Sequence, residues 1–117
     1  MDQGETRLAV DGRDVAPLLV ADTALTRLRG MLVRRPLPPA LLLHPASSVH
    51  GLGMTRVLDV ALLDDARVVR AVLRLRPFGL TRPRRGIRSV LEAPAGAFTS
   101  WGLKVGSRVE VVAEGGS

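Results

Sequence analysis

The feature that most constrains this fold is a pair of alternating apolar runs between Val57 and Leu75, separated by the dipeptide Asp65-Ala66. Alternation with a period of two predicts two β-strands, and the polar dipeptide between them predicts a tight turn. A two-residue turn sets a register with three apolar pairs on one face: Leu62 with Val69, Val60 with Ala71, and Leu58 with Leu73. The opposite face then carries Asp59, Arg70, Val72 and Arg74, and Asp59 is predicted to lie across from Val72, diagonal to both arginines.

Before this hairpin, the sequence predicts further short strands and one helix. Asp11-Gly12 is a dipeptide typical of a tight hairpin turn, and it joins two predicted strands within residues 6–23. Asp22 has the residue type of a helix N-cap, and the segment RRPLPPA predicts the end of that helix. The helix has an apolar stripe formed by Leu25, Leu28 and Leu32. The run ALLLHP, residues 40–45, predicts a buried strand.

After the hairpin, residues 76–88 contain two prolines, two glycines and five arginines, which predicts a loop. The segment SVLEA predicts a strand, and PAGAFTSWG predicts a second short helix that ends at Gly102. A turn and a closing strand follow in residues 103–112, with Val109 and Val111 on one face. We therefore expect an α+β, mostly β fold: a small, partly closed β-barrel with two short helices. Residues 1–113 are predicted as one domain and 114–117 as a disordered tail.

The composition excludes several kinds of functional site and bears on where the protein acts. The 117 residues include no cysteine, which excludes disulfides, thiolate metal sites and a cysteine nucleophile. The first ten residues lack the pattern of a signal peptide, and no apolar run is long enough to span a bilayer. We therefore expect a cytoplasmic protein without membrane insertion. The net charge is +6, which favours some attraction to polyanions.

Several sequence blocks are similar to those of the domain of unknown function 192 family, found in bacteria and archaea. In chain order the blocks are Ala21-Asp22-Thr23, Arg29-Gly30-Met31, Leu58-Asp59-Val60, Leu91-Glu92-Ala93-Pro94-Ala95-Gly96 and Gly102-Leu103-Lys104-Val105-Gly106. The resemblance covers residues 17–112 and implies a compact β-rich fold without an assigned activity. Many members carry Phe-Trp-Met-Lys-Asn-Thr before the Leu-Asp strand, where this chain has residues 49–54, so no role of that Lys-Asn pair transfers. Ser107 also replaces the usual aspartate.

The sequence contains residue types for three kinds of catalytic or metal site. His50, Met54 and Asp59, with His44, are residue types that suit a soft or borderline metal ion, but their spacing places no set of side chains on one ion. A serine hydrolase would need Ser47 or Ser48 to meet His50 and Asp59, without a nucleophile elbow in the sequence. A paired-carboxylate mechanism would need Asp59 close to Glu92. We predict no catalytic residue, metal or cofactor, and keep His50, Met54 and Asp59 as a candidate ligand-binding set. An enzyme or metal-binding protein centred on His50 and Asp59 is the second alternative function.

Asp59 is the residue singled out for either of two roles. A carboxylate among Val57, Leu58, Val60 and Ala61 must be paired or hydrogen-bonded to be tolerated inside a protein. Asp59 is therefore either an internal strut, paired with Arg70 or Arg74, or a polar group that faces a ligand on the wall of a pocket.

A dense set of arginines supplies the alternative function, binding of nucleic acid or another polyanion. The set consists of Arg74, Arg76, Arg82, Arg84, Arg85 and Arg88. Phe78 is the only aromatic residue within it, which offers little for base stacking. We expect first a small non-catalytic binding or accessory module whose protein or small-molecule partner is unknown. We expect it to be a monomer or a weak homodimer.

Overall fold

The computed structural model describes residues 6–21, 38–47, 56–76 and 82–113. The strands in these ranges are β1 (Thr6–Val10), β2 (Arg13–Pro17), β3 (Leu19–Ala21), β4 (Leu41–Leu43), β5 (Leu58–Leu63), β6 (Val69–Leu75), β7 (Ser89–Pro94) and β8 (Val109–Ala113), with helix α1 (Ala97–Trp101) between β7 and β8. The mostly β prediction is confirmed, as is the helix that ends at Gly102. The predicted helix after Asp22 and the predicted tail lie outside the described residues. Within the described ranges, no helix has the length and hydropathy needed to cross a membrane.

The strands form two sheets. One has the order β2-β1-β8 and the other the order β3-β4-β7-β5-β6. The pair β3 and β4 is parallel, while the other neighbouring strands are antiparallel. An isolated bridge between Val68 and Arg108 links the sheets at one corner. The two sheets do not close into a barrel, so the predicted partly closed barrel is not confirmed.

The chain passes from one sheet to the other at Leu18, which explains why a single predicted strand becomes two. The backbone N–H of Leu18 donates to Thr6 of β1 at 2.8 Å, whereas the next N–H, of Leu19, donates to the carbonyl of Ala40 at 3.0 Å. Pro17 ends β2 and has no N–H for a ladder bond. The sequence pattern alone does not distinguish such a change of partner from a continuous strand.

Two apolar clusters border the larger sheet, one on each face. The first cluster lies between the two sheets and includes Leu8, Val10, Leu42, Leu63, Leu91, Phe98 and Val109. The second cluster lies on the opposite face and includes Leu41, Leu43, Leu58, Val60, Leu62 and Val90. Strands β5 and β7 contribute to both clusters, and every residue of β5 is buried. Burial on both faces explains their nearly continuous apolar sequences.

The Asp11-Gly12 turn is confirmed. Both residues have positive φ angles, 51° and 83°, as a tight hairpin turn requires. Asp11 also accepts the backbone N–H of Arg108 through Oδ1 at 2.9 Å. This bond, assisted by the hydroxyl of Ser107, lowers the pKa of Asp11 from its ordinary value. The turn therefore ties the β1–β2 hairpin to the residue that precedes β8.

The β5–β6 hairpin is confirmed, but its predicted register is wrong by two residues. The observed pairs are Leu62 with Ala71, Val60 with Leu73, Leu58 with Leu75, and Asp59 with Arg74. One residue of the slip comes from the turn, where Arg67 adopts a left-handed conformation with φ 61° and Asp64 accepts the N–H of Arg67 at 2.9 Å. The other comes from an irregularity between Leu62 and Leu63. A shift of one residue would move every side chain to the opposite face of the sheet, and a second shift moves it back. Asp59 therefore still shares a face with Arg74.

Val69 is the exception to this preserved pattern. It was predicted to share a face with Leu62, and instead it joins Leu63 in the first cluster. The irregularity falls between the pairs made by Val69 and Ala71, so the two residues face opposite sides.

Replacing Arg67 by glycine is expected to stabilise the domain by about 0.5 kcal/mol. A non-glycine residue in the left-handed region costs about 1–2 kcal/mol, and the greater freedom of glycine in the unfolded chain returns part of that gain. Arg67→Ala removes the same side chain without relieving the backbone and serves as the control. Urea unfolding of the three proteins measures the difference. A glycine variant no more stable than the alanine variant would contradict the assignment of strain to this turn.

Candidate functional site

Asp59 lies on β5 with its carboxylate directed into the protein, where two backbone donors meet it. The N–H of Gly96 donates to Oδ2 at 2.9 Å and the N–H of Phe98 donates to the same oxygen at 3.1 Å. Asp59 is only 4% exposed. Hydrogen bonds from backbone amides to a charged carboxylate are stronger than those between neutral groups. The carboxylate thus connects β5 to the start of α1.

The local sequence explains why these amides are available. The first N–H groups of a helix have no partner within the helix, and a polar side chain is one of the groups that can accept them. Gly96, which precedes α1, has φ 96° and, as a glycine, has no side chain to act as an acceptor. Asp59, on a neighbouring strand, supplies the acceptor that the cap position lacks. Glycine suits this position because the left-handed backbone disfavours other residues.

Arg74 is the third contact of Asp59. Its Nε lies 3.4 Å from Oδ1, across the β5–β6 pair, and the arginine side chain is 66% exposed. An ion pair with one partner in solvent contributes little to stability. Of the two arginines predicted as partners, Arg74 is the one that contacts Asp59, whereas Arg70 lies 3.8 Å from Asp64. The backbone amides, which the sequence did not reveal as partners, are the closer contacts.

Glu92 on β7 is the most unusual polar residue of the described structure. It is 1% exposed, and neither carboxylate oxygen has a hydrogen-bond partner among the described residues. Its cross-strand neighbours are Leu41 on β4 and Val60 on β5, both aliphatic and buried. Burial raises the pKa of Glu92 from 4.5 to about 8, because a charged carboxylate loses its hydration there. The residue is therefore mainly a neutral carboxylic acid at pH 7.

Asp59 and Glu92 do not form a carboxylate pair, although their strands are neighbours. Asp59 pairs in register with Ala93, and Glu92 pairs with Val60. Because successive residues of a strand point to opposite faces, Asp59 lies on the side of the first cluster and Glu92 on the side of the second. The arrangement gives no support to a mechanism in which the two carboxyl groups act together.

The histidines and methionine of the predicted ligand set are only partly described. His44 is half-buried, and its Nδ1 lies 2.8 Å from the hydroxyl of Ser89, a contact that occupies one ring nitrogen. His50 and Met54 lie outside the described residues, and so does Ser48. Among the residues that the structure does describe, no three histidine or acidic side chains are grouped in a way that could hold a metal ion. The candidate ligand-binding set of His50, Met54 and Asp59 stays a prediction.

The arginines of the predicted polyanion-binding set, called the arginine segment below, lie at the surface. All six arginines of the predicted polyanion-binding set are exposed: Arg74, Arg76, Arg82, Arg84, Arg85 and Arg88. Within the described part of the chain, Arg74 is the only member with a carboxylate in ion-pair range. Arg74 lies on β6, and Arg88 is the residue before β7. The other five charges are directed into solvent without an internal counterion from the described residues.

Fold and site together define a small two-sheet β-rich domain with a buried, hydrogen-bonded carboxylate at Asp59 and a set of exposed arginines. The sequence profile of DUF192, described as an uncharacterized ACR, matches residues 6–111. The chain belongs to this family. Curated relatives include UPF0127 proteins of Pyrococcus furiosus, 30% identical, and Pyrococcus abyssi, 29% identical. These matches cover 77% and 78% of this chain, respectively, and 82% of each relative.

Solved structures show the same fold. A protein of unknown function from Novosphingobium aromaticivorans has a TM-score of 0.71 and 22% identity, over 91% of this chain and 83% of that protein. A candidate transcription regulator from Sinorhizobium meliloti has a TM-score of 0.67 and 20% identity, over 92% of each chain. At these identities the likeness is one of fold, and the family itself carries no assigned activity.

Proposed function

We propose that this domain is a non-catalytic binding module that recognises an anionic macromolecule through the arginine segment, Arg74 to Arg88. We place it in the cytoplasm, as a monomer or weak homodimer. The observation that carries this proposal is the exposure of six arginines, five of them without an ion-pair partner among the described residues. Clustered arginines bind phosphates and carboxylates through charge and through their forked donors.

The contacts of the buried acids support a non-catalytic role. Asp59 is only 4% exposed, its Oδ2 accepts two backbone N–H groups, and its Oδ1 lies in ion-pair range of Arg74. Glu92 is enclosed by aliphatic side chains and lacks a second polar group beside it among the described residues. General acid–base chemistry needs a group within hydrogen-bond reach of the reacting atom. Neither carboxyl group offers that access.

Nucleic acid is the first ligand to test. The similar fold from Sinorhizobium meliloti is described as a candidate transcription regulator, and phosphate contacts require only accessible positive charge. The test measures binding of fluorescently labelled duplex and single-stranded DNA by anisotropy, with heparin as a second polyanion, over a range of salt concentrations. We expect binding that weakens steeply as salt is added.

The variant Arg82→Ala/Arg84→Ala/Arg85→Ala is expected to bind at least about tenfold more weakly at low salt. On duplex DNA, each lost phosphate contact lowers the slope of log K against log salt by about 0.9. The matched control Arg56→Ala/Lys104→Ala/Arg108→Ala removes the same charge from exposed positions outside the segment. It is expected to stay within about threefold of the parent, since distant surface charges are screened. Equal losses in both triple variants would assign the binding to net charge and remove the role of the segment.

A further inference from the structure

Strand β6 forms one edge of the five-stranded sheet and is its longest strand. On one side it pairs with β5 along its length. On its outer side, contacts with the chain before β8 are confined to the start of the strand, where Val69 donates to Ser107 and accepts from Gly106, both at 2.8 Å. From Ala71 to Leu75, no described strand pairs with the outer side. An edge of this kind presents unpaired backbone donors and acceptors.

The hydrogen-bond pattern identifies which backbone groups face outward. The carbonyl of Leu63 accepts the N–H of Arg88, on the side of β7, so the backbone groups of Leu62 and Val60 face β6. Their partners, Ala71 and Leu73, therefore direct their backbone groups to β5. Those of Val72 and Arg74 point away from the sheet. Two residues with outward N–H and C=O groups are the arrangement that an added antiparallel strand requires.

The side chains along this edge carry both apolar surface and positive charge. Val72 is 41% exposed at the middle of the strand, between Arg70 and Arg74, whose side chains are 63% and 66% exposed. A second copy that paired antiparallel along this edge, centred on Val72, would bring Arg70 of each copy opposite Arg74 of the other, which is unfavourable. A strand with alternating acidic residues would instead pair its carboxylates with the arginines.

We propose that the outer edge of β6 binds an extended, acidic polypeptide segment, which adds to the sheet as a further strand. This proposal rests on the proposed function, since Arg74 belongs both to the arginine segment and to this edge and the partner is again an anionic macromolecule. The edge favours a polypeptide over a nucleic acid, because the N–H and C=O groups of Val72 and Arg74 match those of a neighbouring strand. The half-buried side chains of Ala71 and Leu73 on the other face add apolar contact area.

The test uses the whole chain, labelled with nitrogen-15, and a synthetic peptide of alternating valine and glutamate. A peptide of alternating proline and glutamate has equal charge but lacks half of the N–H donors, and oligothymidylate supplies a phosphate polyanion. We expect the valine–glutamate peptide to slow amide exchange at Val72 and Arg74 by at least about tenfold, and the other two probes to leave it unchanged.

A pair of variants gives a second measurement. Val72→Pro removes an outward N–H that makes no bond to β5 and is expected to weaken the valine–glutamate peptide by about tenfold. Val72→Thr keeps the N–H and is expected to retain the parent affinity. Circular dichroism establishes that both variants are folded. If the proline variant does not fold, amide exchange in the unmodified chain is the measurement that tests strand addition.

Each other outcome overturns a defined part of the proposals. Equal binding of both peptides without protection, or binding of oligothymidylate alone, overturns strand addition and leaves the polyanion-binding function standing. Protection of the same amides in the free protein that grows with protein concentration would identify a second copy as the occupant and overturn the inference. Absence of binding to every anionic probe at low salt would overturn both.

Discussion

Asp59→Ala is expected to destabilise the domain by about 3 kcal/mol. The substitution removes the acceptor of two backbone N–H groups, those of Gly96 and Phe98, and leaves them without a partner at the start of α1. An unsatisfied buried donor costs about 1–3 kcal/mol, and the lost bonds are to a charged group. Asp59→Asn keeps one carbonyl oxygen and is expected to cost about 1–2 kcal/mol. Urea unfolding followed by circular dichroism measures both values.

The control for this prediction is Asp14→Ala. Asp14 also accepts hydrogen bonds and forms an ion pair, with Arg7 at 2.8 Å, but its side chain is 58% exposed. Exposed pairs contribute about 0.2–1 kcal/mol, so the expected loss is well below that at Asp59. Similar losses at both positions would show that Asp59 is not a strut. Full stability of Asp59→Ala combined with lost ligand binding would assign the residue to a pocket.

Glu92 is expected to lower the stability of the domain by about 5 kcal/mol as pH rises from about 4.5 to about 8. In the folded chain the pKa of Glu92 is raised from 4.5 to about 8 by burial. Between those values the folded state holds a proton that the unfolded state has released. Stability therefore decreases by about 1.4 kcal/mol per pH unit in this window and levels off above it.

Two substitutions isolate this contribution from those of other groups. Glu92→Gln has nearly the same shape and no ionisation, so the pH-dependent loss should disappear from it. Glu92→Leu also removes the unpaired polar atoms and is expected to exceed the parent by about 2–4 kcal/mol at pH 8. Glu110→Gln removes a carboxylate from an exposed position on β8 and serves as the surface control. Urea unfolding at several pH values provides the profiles, and parallel curves for the parent and Glu92→Gln would contradict the prediction.

The sequence was sufficient to predict most strands and their positions along the chain, but not their order within the sheets. Alternation around Asp65-Ala66 predicted the β5–β6 hairpin, and the positive φ angles at Asp11 and Gly12 confirm the first turn. These elements depend on local patterns, which a single sequence carries. The resemblance to the domain of unknown function 192 family was also confirmed, because its blocks extend along most of the chain.

The register and the partners of the buried acids depend on information that local patterns do not carry. A left-handed arginine at position 67 has no sequence signature, and the irregularity after Leu62 has none either. The amides that bind Asp59 are 37 and 39 residues away along the chain. Glu92 is the one acid within the run SVLEA, yet only the pairing of β7 between β4 and β5 shows that it is buried.

The central place of β1 in the smaller sheet has a consequence for the order in which this protein can assemble during synthesis. β1 needs β8 as a neighbour, and the pair joins Ala9 to Glu110. While the ribosome is still translating residues 109–113, β1 has only β2 beside it. The apolar side chains of β1 and β2 then have no contact with Val109. The first cluster, between the two sheets, is therefore complete only after β8 has been translated.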